Sequence, residues 1–370
     1  HMSGTIAVVV LHHRGWDDTR HCLETLAAQR DAEAMRVILV DNSGDADAAA
    51  RAAAWIAATD GAVRTPPWHD GAAASSPVAM RGVPGARWAT LDERDVPSNV
   101  TPLADAARPL AHWTLVTAQN RGFGAGMNTG LRLALADPDV SATWLLNNDT
   151  AVSPTAINAI RGAVVRDRDV GQWGTQVRWW DRPDVLQSDG GCDYRPWTAS
   201  GARAGDGHRV GSPGDPYATA LRIPWPGHPY GASWVLRHEA VRDIGLLSEA
   251  ALVYGEELDW TARARPRWAA ATIPDAIVWH REGATAGGGS VGPKSAFADM
   301  HAIAARIRIT RRFFAAARPT VYCLLVGAAL WRLVARRQPA RARGILRLLR
   351  HGDAALPSVV AALRPPSPRP

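Results

Sequence analysis

The chain opens with a buried strand, and this feature constrains its fold more than any other. Residues 6–11 form a continuous apolar run rich in β-branched residues, which is typical of a strand covered on both faces. Residues 17–29 follow with apolar positions at helical spacing, and residues 36–40 predict a second buried strand. Two strands separated by a helix predict a parallel sheet, in which ligands bind at the carboxyl ends of the strands.

The rest of the first 295 residues continues this alternation around one long interruption. We predict a second helix over residues 47–58 and further strands over Trp113–Thr117 and residues 141–146, 172–180, 222–225 and 276–279. Between about residues 62 and 112 the periodicity disappears and Pro, Gly, Ala and Ser dominate, so we interpret this segment as an irregular insertion. The expected fold class is therefore α/β, with a mostly parallel, Rossmann-like sheet flanked by helices over residues 5–295.

The C-terminal part of the sequence predicts a basic helical extension over residues 296–352. From Met300 to Gly352 there are twelve arginines and no Asp or Glu, together with apolar residues at helical spacing. A basic amphipathic helix of this kind is typical of proteins that lie on an anionic membrane surface, and the alternative is an appendage packed on the domain with solvated arginines. The apolar run 321–331 is shorter than the roughly 20 residues that a bilayer span requires. We expect the Pro-rich tail over residues 353–370 to be disordered.

Cysteine content and charge narrow the classes of function. Cys22, Cys192 and Cys323 lack metal-ligand spacing and are too scattered to form a disulfide framework. No charged and then apolar signal stretch follows the N-terminus, so we expect a cytoplasmic protein, peripheral on the inner face of the membrane. The net charge of +7 is unevenly spread, and no stacking motif or groove-reading element accompanies the arginines, so we expect no nucleic-acid partner.

Three carboxylates in four positions, Glu256, Glu257 and Asp259, are the strongest signal of chemistry in the sequence. Carboxylates so close repel one another, so a fold keeps them together mainly where a cation or a proton-transfer task requires it. Asp149 and His280 each follow a predicted strand, which places both at the ligand-binding edge of the sheet. A carboxylate and diphosphate oxygens are usual ligands of Mg²⁺ or Mn²⁺, so the segments predict a site that holds a metal-bound phosphate and deprotonates a hydroxyl. A polar strand end and a structural histidine are the alternative interpretations.

A glycine-rich stretch over residues 120–128 follows a predicted strand and opens a helix. Its backbone amides could therefore face a phosphate. The stretch does not match the dinucleotide fingerprint G-x-G-x-x-G, because Met127 stands where the third glycine would be. A tight turn that requires glycine is an equally supported interpretation.

Taken in order, these motifs resemble the family 2 inverting glycosyltransferases with the GT-A fold, and in particular their rhamnosyltransferase-like branch. The matching segments, which run from about Thr5 to Arg312, are Val8-Val-Val-Leu11, Asp41-Asn42-Ser43, Asn120-x-Gly122-Phe-Gly124-x-Gly-x-Asn128-x-Gly130, Leu145-Leu-Asn-Asn-Asp149-Thr150, Gly231-Ala232-Ser233, Tyr254-x-Glu256-Glu257-x-Asp259-Trp260-x-x-Arg263 and His280-x-x-Gly283. Each motif is weak alone, whereas the ordered set is specific. The resemblance implies a dTDP- or UDP-sugar donor, with dTDP-rhamnose as one candidate, and a hydroxyl acceptor on a glycan, a lipid-linked sugar or a natural product.

The resemblance also implies a role for each motif. The donor-binding residues would be His12, Arg14, Asp41, Asn42, Asn120, Arg121, Gly122, Gly124, Asn128, Asn148 and Asp149. Asp149, with His280 as a further ligand, would hold the Mn²⁺ or Mg²⁺ that neutralises the diphosphate leaving group. Glu257, beside Glu256, would be the general base of a single displacement that inverts the sugar configuration. The residues that would contact or orient the acceptor are Gly231, Ala232, Asp259, Trp260 and Arg263.

The chain departs from the family pattern at two places. The opening strand of the family usually ends Thr-Tyr-Asn-Arg, whereas here the sequence is Leu11-His12-His13-Arg14, so His12 becomes the candidate for stacking on the nucleobase. The usual Glu-Asp pair is Glu256-Glu257, which leaves two candidates for the base, and we favour Glu257.

Other functions remain open at this point. A nucleotidyltransferase would need a glycine-rich, basic phosphate loop directly after the first strand, and the chain does not provide one there. A non-catalytic nucleotide-sugar-binding or membrane-associated scaffold protein is the main alternative, and the presence of Asp149, Glu257 and His280 argues against it. A homo-oligomer is compatible with the sequence.

Overall fold

The computed structural model describes residues 4–57, 62–63, 78–79, 88–92, 112–211, 215–250, 252–282 and 295–363. Within these residues a ten-stranded sheet lies between two layers of helices, and further helices follow at the C-terminal end. Most of the predicted insertion lies outside the described residues, as does Gly283 of the predicted histidine motif.

The elements alternate along the chain much as the sequence pattern predicts. The strands are β1 Thr5–His12, β2 Met35–Asp41, β3 Ala62–Val63, β4 Val78–Ala79, β5 Trp88–Asp92, β6 Trp113–Thr117, β7 Val140–Asn147, β8 Thr150–Val152, β9 Val170–Trp179, β10 Leu186–Ser188, β11 Gly191–Arg195, β12 Ser200–Arg203, β13 His228–Pro229, β14 Ser233–Arg237 and β15 Ala269–His280. The helices are α1 Trp16–Ala27, α2 Ala46–Ala57, α3 Phe123–Ala136, α4 Ala156–Arg166, α5 His238–Ile244, α6 Glu256–Ala264, α7 Ala296–Phe313, α8 Arg318–Val334, α9 Pro339–His351 and α10 Leu356–Ala361.

The main sheet has the strand order β5-β6-β2-β1-β7-β14-β9-β15-β8, with β10 beside β9. The strands from β5 to β7 in this order are parallel, β14 is antiparallel to both neighbours, and β15 is parallel to β9. This mixed sheet confirms the predicted α/β class. The register pairs His12 with Asp41 and Leu11 with Asn147, so the carboxyl ends of β1, β2 and β7 meet at one edge.

The central strands are buried on both faces, which explains their continuous apolar sequences. Val8 and Trp144 belong to the hydrophobic core beneath α1 and α4. Val9 and Leu145, their neighbours in the chain, belong to the core beneath α3, α5 and α6. Because side chains alternate across a strand, a strand between two helix layers requires an apolar residue at every position.

Two predictions about strands are corrected by the structure. Residues 222–225 do not form a strand, because only Arg222 makes an isolated bridge, to Ala271. The predicted irregular insertion contributes Trp88–Asp92, which pairs in parallel with Trp113–Thr117 and extends the main sheet. The edge of the sheet supplies hydrogen-bond partners that a local sequence pattern does not reveal.

The C-terminal helices form a third hydrophobic cluster and pack on the sheet domain. Arg308 of α7 donates to the carbonyl of Tyr254 at 2.8 Å, and Arg312 donates to the Asp259 carboxylate at 2.6 Å. The predicted end of the extension at residue 352 is too early, because helix α10 follows and its Leu356 and Val359 are buried in the cluster.

One helical segment, Ala315–Val334, is long and apolar enough to cross a membrane by length and composition. This finding corrects the prediction, made from the run 321–331, that the apolar segment is too short. The helical segment begins earlier than that run because Ala315–Ala317 forms a 3-10 turn that leads directly into α8. Only 22% of an 18-residue apolar stretch of this segment is buried within the protein.

Candidate active site

The acidic cluster lies in the first turn of α6, after a sharp reversal of the chain. Tyr254 and Gly255 have φ angles of 78° and 93°, and a positive φ is strained for a tyrosine. The hydrogen bond from Arg308 to the Tyr254 carbonyl holds this turn. The amides at the start of the helix stabilise negative charge, which favours a carboxylate at the position of Glu257.

The two glutamates lie in different environments. Glu256 is buried, and its Oε1 has no hydrogen-bond partner among the residues that the structure describes. Burial, and then the charge of Glu257, raises the pKa of Glu256 to about 8, so this carboxyl is protonated at neutral pH. Glu257 is partly exposed and lies directly against Gly231, where an added Cβ would be 1.7 Å from Glu257 Oε1. Glu257 is therefore the accessible carboxylate of the pair.

Asp149 and His280 come together at the carboxyl edge of the sheet, as predicted. Asp149 Oδ1 lies 3.2 Å from His280 Nε2, and both side chains are buried. Burial raises the pKa of Asp149, but the charge and the hydrogen bond of His280 outweigh it, and the net effect lowers this pKa. Asp149 is therefore a carboxylate at neutral pH.

Gln187 and Glu282 orient the His280 ring through a chain of hydrogen bonds. Gln187 Nε2 donates to Glu282 Oε2 at 3.2 Å, which turns Gln187 Oε1 towards His280 Nδ1 at 2.7 Å. An amide oxygen only accepts, so Nδ1 carries a proton and Nε2 is the nitrogen that faces the Asp149 carboxylate. A proton on Nε2 donates to that carboxylate, and a divalent cation would replace this proton and bind the Nε2 lone pair.

A divalent cation fits this pair of side chains. A histidine that binds a metal through one nitrogen usually donates its other ring N–H to an oxygen acceptor, as His280 does to Gln187. Among the described residues there is no group of three or more His, Cys, Asp or Glu side chains that could hold a metal ion. The protein would therefore supply Asp149 and His280, and oxygens from outside the protein would complete the coordination of Mn²⁺ or Mg²⁺.

The residues predicted at the end of the first strand are held by one threonine. His12 is buried, and its Nδ1 lies 2.7 Å from Thr19 Oγ1. Burial lowers the pKa of His12 despite the nearby charge of Asp41, so the ring is neutral at neutral pH. Asn148 Nδ2 donates to Thr19 Oγ1 at 2.9 Å and to the backbone carbonyl of Arg14 at 3.0 Å, and the Arg14 residue is exposed. These bonds fasten the loop after β1 to the loop after β7.

Asp41 and Asn42 lie beside His12 at the end of β2. Asp41 Oδ1 accepts a hydrogen bond from the Ser43 backbone amide at 2.9 Å, and the Asn42 backbone amide donates to the His12 carbonyl at 3.0 Å. Asn42 is buried, and its Oδ1 has no partner within the part of the chain that the structure describes. An unpaired buried acceptor at this edge is compatible with the predicted contact to the donor, which stays a prediction.

The glycine-rich stretch allows another segment to cross the start of α3. Gly122 has a φ of 103°, and a Cβ there would be 2.7 Å from Leu252 Cα, while a Cβ on Gly124 would be 2.6 Å from the Ser248 carbonyl oxygen. The Phe123 amide donates to the Leu252 carbonyl at 2.7 Å. Close approach of the backbone therefore explains these glycines, and a phosphate contact stays a prediction.

Asn120 and Arg121, at the start of this stretch, are exposed. Asn120 Oδ1 accepts a hydrogen bond from the Gly122 amide at 3.1 Å, and its Nδ2 lies 3.4 Å from His13 Nδ1. Asn120 thereby brings the start of the glycine-rich stretch next to the loop after β1. The predicted donor contacts of both exposed residues stay predictions.

Asn128 and Trp260 have structural contacts in the fold. Asn128 is fully buried and exchanges two hydrogen bonds with the backbone of Leu247, each at 3.0 Å. Trp260 is also fully buried, and its Nε1 donates to the Gly245 carbonyl at 2.9 Å. Both side chains anchor the segment between α5 and α6, and their predicted contacts with substrates stay predictions.

Asp259 and Arg263 form a second anchor on α6. The Asp259 carboxylate accepts from Arg263 at 2.9 Å and from Arg312 at 2.6 Å. The remaining Arg263 donors reach the carbonyls of Ile244 and Leu246, both at 2.9 Å. Because all these groups are paired, their contacts are structural, and a direct role in the acceptor site stays a prediction.

No sequence motif identified Tyr230, which connects the Asp149–His280 pair to the segment that contacts Glu257. The Tyr230 and His280 ring centroids are 6.2 Å apart, and the next residue, Gly231, contacts Glu257. Ala232 follows, and its carbonyl accepts from the Asn147 amide at 3.0 Å. Nothing in the local sequence of Tyr230 indicates a neighbour fifty residues away.

Arg203, Gln187 and Glu282 were missed as well. Arg203 Nη1 donates to Glu282 Oε2 at 2.8 Å, so the hydrogen-bond chain from His280 ends in a guanidinium group. Arg203 and Gln187 lie between residues 181 and 221, where the sequence has no clear periodicity. A polar residue in such a segment carries no local signal of its partner.

No protein-family model matches the sequence, and no curated protein matches it. GalNAc-T7, crystallised with UDP, GalNAc and Mn²⁺, superimposes with a TM-score of 0.54 at 12% sequence identity, covering 88% of this chain and 50% of the GalNAc-T7 chain. S. aureus TarS 1–349 has a TM-score of 0.47 at 10% identity, covering 97% of this chain and 87% of the TarS chain. The mannosyltransferase PcManGT from Pyrobaculum calidifontis, in complex with GDP-Man and Mn²⁺, has a TM-score of 0.45 at 13% identity, covering 94% and 87% of the two chains. The chain thus spans about half the length of GalNAc-T7 and has the GT-A fold.

Proposed function

We propose that this protein is a metal-dependent inverting glycosyltransferase, which transfers a sugar from a nucleotide-diphosphate donor to an acceptor hydroxyl. The observation that carries the proposal is that two adjacent residues link the Asp149–His280 pair to Glu257. Tyr230 and Gly231 connect the two, since the Tyr230 ring neighbours His280 and Gly231 contacts the Glu257 carboxylate. A cation site beside an accessible carboxylate supports the activation of a leaving group and of a nucleophile in one reaction.

Asp149 and His280 would hold the divalent ion, and the ion would stabilise the negative charge that develops on the departing diphosphate. The contribution of the chain is orientation. Gln187 accepts the Nδ1 proton of His280, and Glu282 keeps the Gln187 amide in the required direction. His280 Nε2 therefore remains directed at the Asp149 carboxylate before any ligand binds.

Glu257 is the proposed general base. It takes the proton of the acceptor hydroxyl while the hydroxyl oxygen bonds to the anomeric carbon and the bond from that carbon to the diphosphate breaks. Attack from the face opposite the leaving group gives one inversion of configuration. Glu256 supports this role because two adjacent carboxylates resist ionising together, and the buried Glu256 is the one that keeps its proton.

The proposed donor is a dTDP- or UDP-sugar, with dTDP-rhamnose as a candidate. The ordered motifs that resemble the rhamnosyltransferase-like branch support this choice. The Mn²⁺ and UDP bound to GalNAc-T7 belong to a protein of the same fold and are compatible with it. The proposed acceptor is a hydroxyl on a glycan, a lipid-linked sugar or a natural product.

Calorimetric titration of UDP, dTDP and GDP, each with and without Mn²⁺ or Mg²⁺, tests the donor side of the proposal. We expect one diphosphate to bind tightly and only with metal. Asp149→Asn should remove this metal dependence, whereas Asp139→Asn, an exposed aspartate before β7, should preserve it. If no diphosphate binds, or if Asp149→Asn binds as the wild type does, the proposed metal site is wrong.

The same variants separate binding from transfer. Glu257→Gln should retain metal-dependent binding of the diphosphate and lose sugar transfer to the acceptor, because an amide accepts no proton in this pH range. Glu33→Gln, a change of the same type at an exposed position, serves as the matched control. Normal transfer by Glu257→Gln would exclude Glu257 as the base.

A further inference from the structure

Helix α8 carries more exposed large apolar residues than any other element in the described part of the chain. Of the eleven large apolar residues that are exposed there, six lie on this one helix. We call them the α8 face: Leu324, Val326, Leu330, Trp331, Leu333 and Val334. A contiguous exposed apolar surface of this kind usually marks a contact with a protein or a membrane.

The opposite side of the same helix is already packed. Val321, Leu325 and Ala329, spaced at i, i+4 and i+8, are buried in the cluster that α8 forms with α7 and α9. Between Arg318 and Arg332 the helix has no charged residue, so it is apolar on both its buried and its exposed sides. To span a bilayer, α8 would have to give up its packing in this cluster.

Exposed arginines follow the α8 face along the chain, and one of them contacts it. Five exposed arginines follow Trp331 and form no salt bridge with any described residue: Arg336, Arg337, Arg343, Arg347 and Arg350. The Arg336 guanidinium lies 4.8 Å from the centroid of the Trp331 ring. A tryptophan next to an arginine, with further arginines close by in the sequence, is the composition that suits the boundary between lipid tails and headgroups.

We propose that the α8 face lies on the surface of an anionic lipid bilayer, with its apolar side chains in the outer acyl layer and the arginines at the lipid phosphates. Charge complementarity favours this occupant over a second copy of the chain, because two copies facing each other would bring like-charged arginines together. Because Val321, Leu325 and Ala329 of α8 are buried in the helical cluster, a position along the membrane surface is favoured over one across the bilayer.

Docking through α8 would hold the candidate active site at the membrane. Helix α7 precedes α8, and its Arg312 is bonded to Asp259 on α6, the helix that carries Glu257. This consequence concerns location only, so the proposal is independent of the sugar that the protein transfers and can be tested without any substrate.

Cosedimentation with lipid vesicles tests the proposal on the full chain. We expect binding to phosphatidylcholine vesicles that contain about one-third phosphatidylglycerol, weaker binding to pure phosphatidylcholine, and release by added salt, because exposed charges are screened. Trp331→Glu should reduce the partition coefficient about seventyfold, since roughly 100 Å² of exposed indole contributes about 25 cal/mol per Å². Trp197→Glu is the matched control, because Trp197 is 57% exposed and Trp331 is 51% exposed.

The arginines have a separate test with the same charge change in the control. Arg343→Gln with Arg347→Gln should weaken binding to the anionic vesicles about 25-fold, because a basic residue near the surface contributes about 1 kcal/mol. Arg30→Gln with Arg195→Gln, at exposed positions outside the C-terminal helices, should leave binding unchanged.

Three results would overturn the proposal. The first is equal loss of vesicle binding in Trp331→Glu and Trp197→Glu, or no binding by the wild type. The second is a stable dimer of the wild type that Trp331→Glu converts to a monomer, without vesicle binding, since the α8 face would then contact a second copy. The third is vesicle association that resists both high salt and alkaline extraction, which would indicate a spanning helix.

Discussion

Replacing Gly231 with alanine should displace the proposed base without changing its chemistry. A Cβ at this position would be 1.7 Å from Glu257 Oε1, 2.7 Å from its Cδ and 3.1 Å from its Cγ. Because non-bonded atoms rest at about 3.5–4.0 Å, the carboxylate oxygen would have to move by roughly 2 Å. Glu257 is partly exposed, so its side chain can swing towards solvent and the fold should survive the substitution.

The expected effect is a loss of catalytic rate with little change in donor binding. A misplacement of about 1 Å can cost about 100-fold in rate, so kcat for sugar transfer should fall at least about 100-fold in Gly231→Ala. The affinity for the nucleoside diphosphate and metal should change by less than about twofold, because the substitution leaves the residues proposed to bind the donor and the metal unchanged. Transfer would be followed by release of the nucleoside diphosphate from the donor identified by calorimetry.

A control and a double-mutant cycle make this prediction specific. Gly162→Ala adds a methyl group at a glycine of α4 where nothing lies within 4 Å, so activity should not change. In a Glu257→Gln background, Gly231→Ala should cause little further loss, because the group that it displaces no longer accepts a proton. Wild-type kcat in Gly231→Ala, or a full additional loss in the double variant, would refute the reasoning.

Two further predictions concern the buried partners of the site. The folded state raises the pKa of Glu256 to about 8, above its value in the unfolded chain. The contribution of this group to stability is therefore fully present below the unfolded pKa and is lost as pH rises through about 8. Glu256→Gln should match the wild type at pH 4.5 and should have a free energy of unfolding that is roughly 3–5 kcal/mol larger near pH 8. Urea unfolding at both pH values, with Glu33→Gln as control, measures this difference, and a gain that does not depend on pH would contradict it. Gln187→Leu should weaken Mn²⁺ binding about 10- to 100-fold, because His280 loses the acceptor that orients it. Titration of Mn²⁺ alone measures this effect. Gln338→Leu, between α8 and α9, is the control, and unchanged affinity in Gln187→Leu would exclude the orienting role.

The local elements of the sheet domain could largely be predicted from the sequence. The predicted strand 113–117 agrees with β6 at both ends, and the predicted first strand lies within Thr5–His12. These strands are buried on both faces, so their apolar runs carry a strong local signal. The position of Asp149 and His280 at one edge of the sheet was also predictable, because both follow strands that end there, whereas their direct contact depends on the pairing of Thr150 in β8 with His280.

The strand Trp88–Asp92 and the hydrogen-bond chain through Gln187 could not be predicted in the same way. Both depend on partners far away in the sequence: Trp88–Asp92 pairs with Trp113–Thr117, and Gln187 lies 93 positions from His280. A short strand or a single amide carries too little local pattern to reveal such a partner.

By itself, the sequence determined which residues are available for chemistry and at which ends of the strands they lie, since hydrophobic periodicity is a local property. Only the tertiary structure decided which glutamate keeps its proton, because the pKa of Glu256 follows from burial and from the charge of its neighbour. It also decided that Gly231 places the Glu257 carboxylate and that α8 leaves an apolar face uncovered. Burial and close contact are properties of the folded chain, and no stretch of sequence contains them alone.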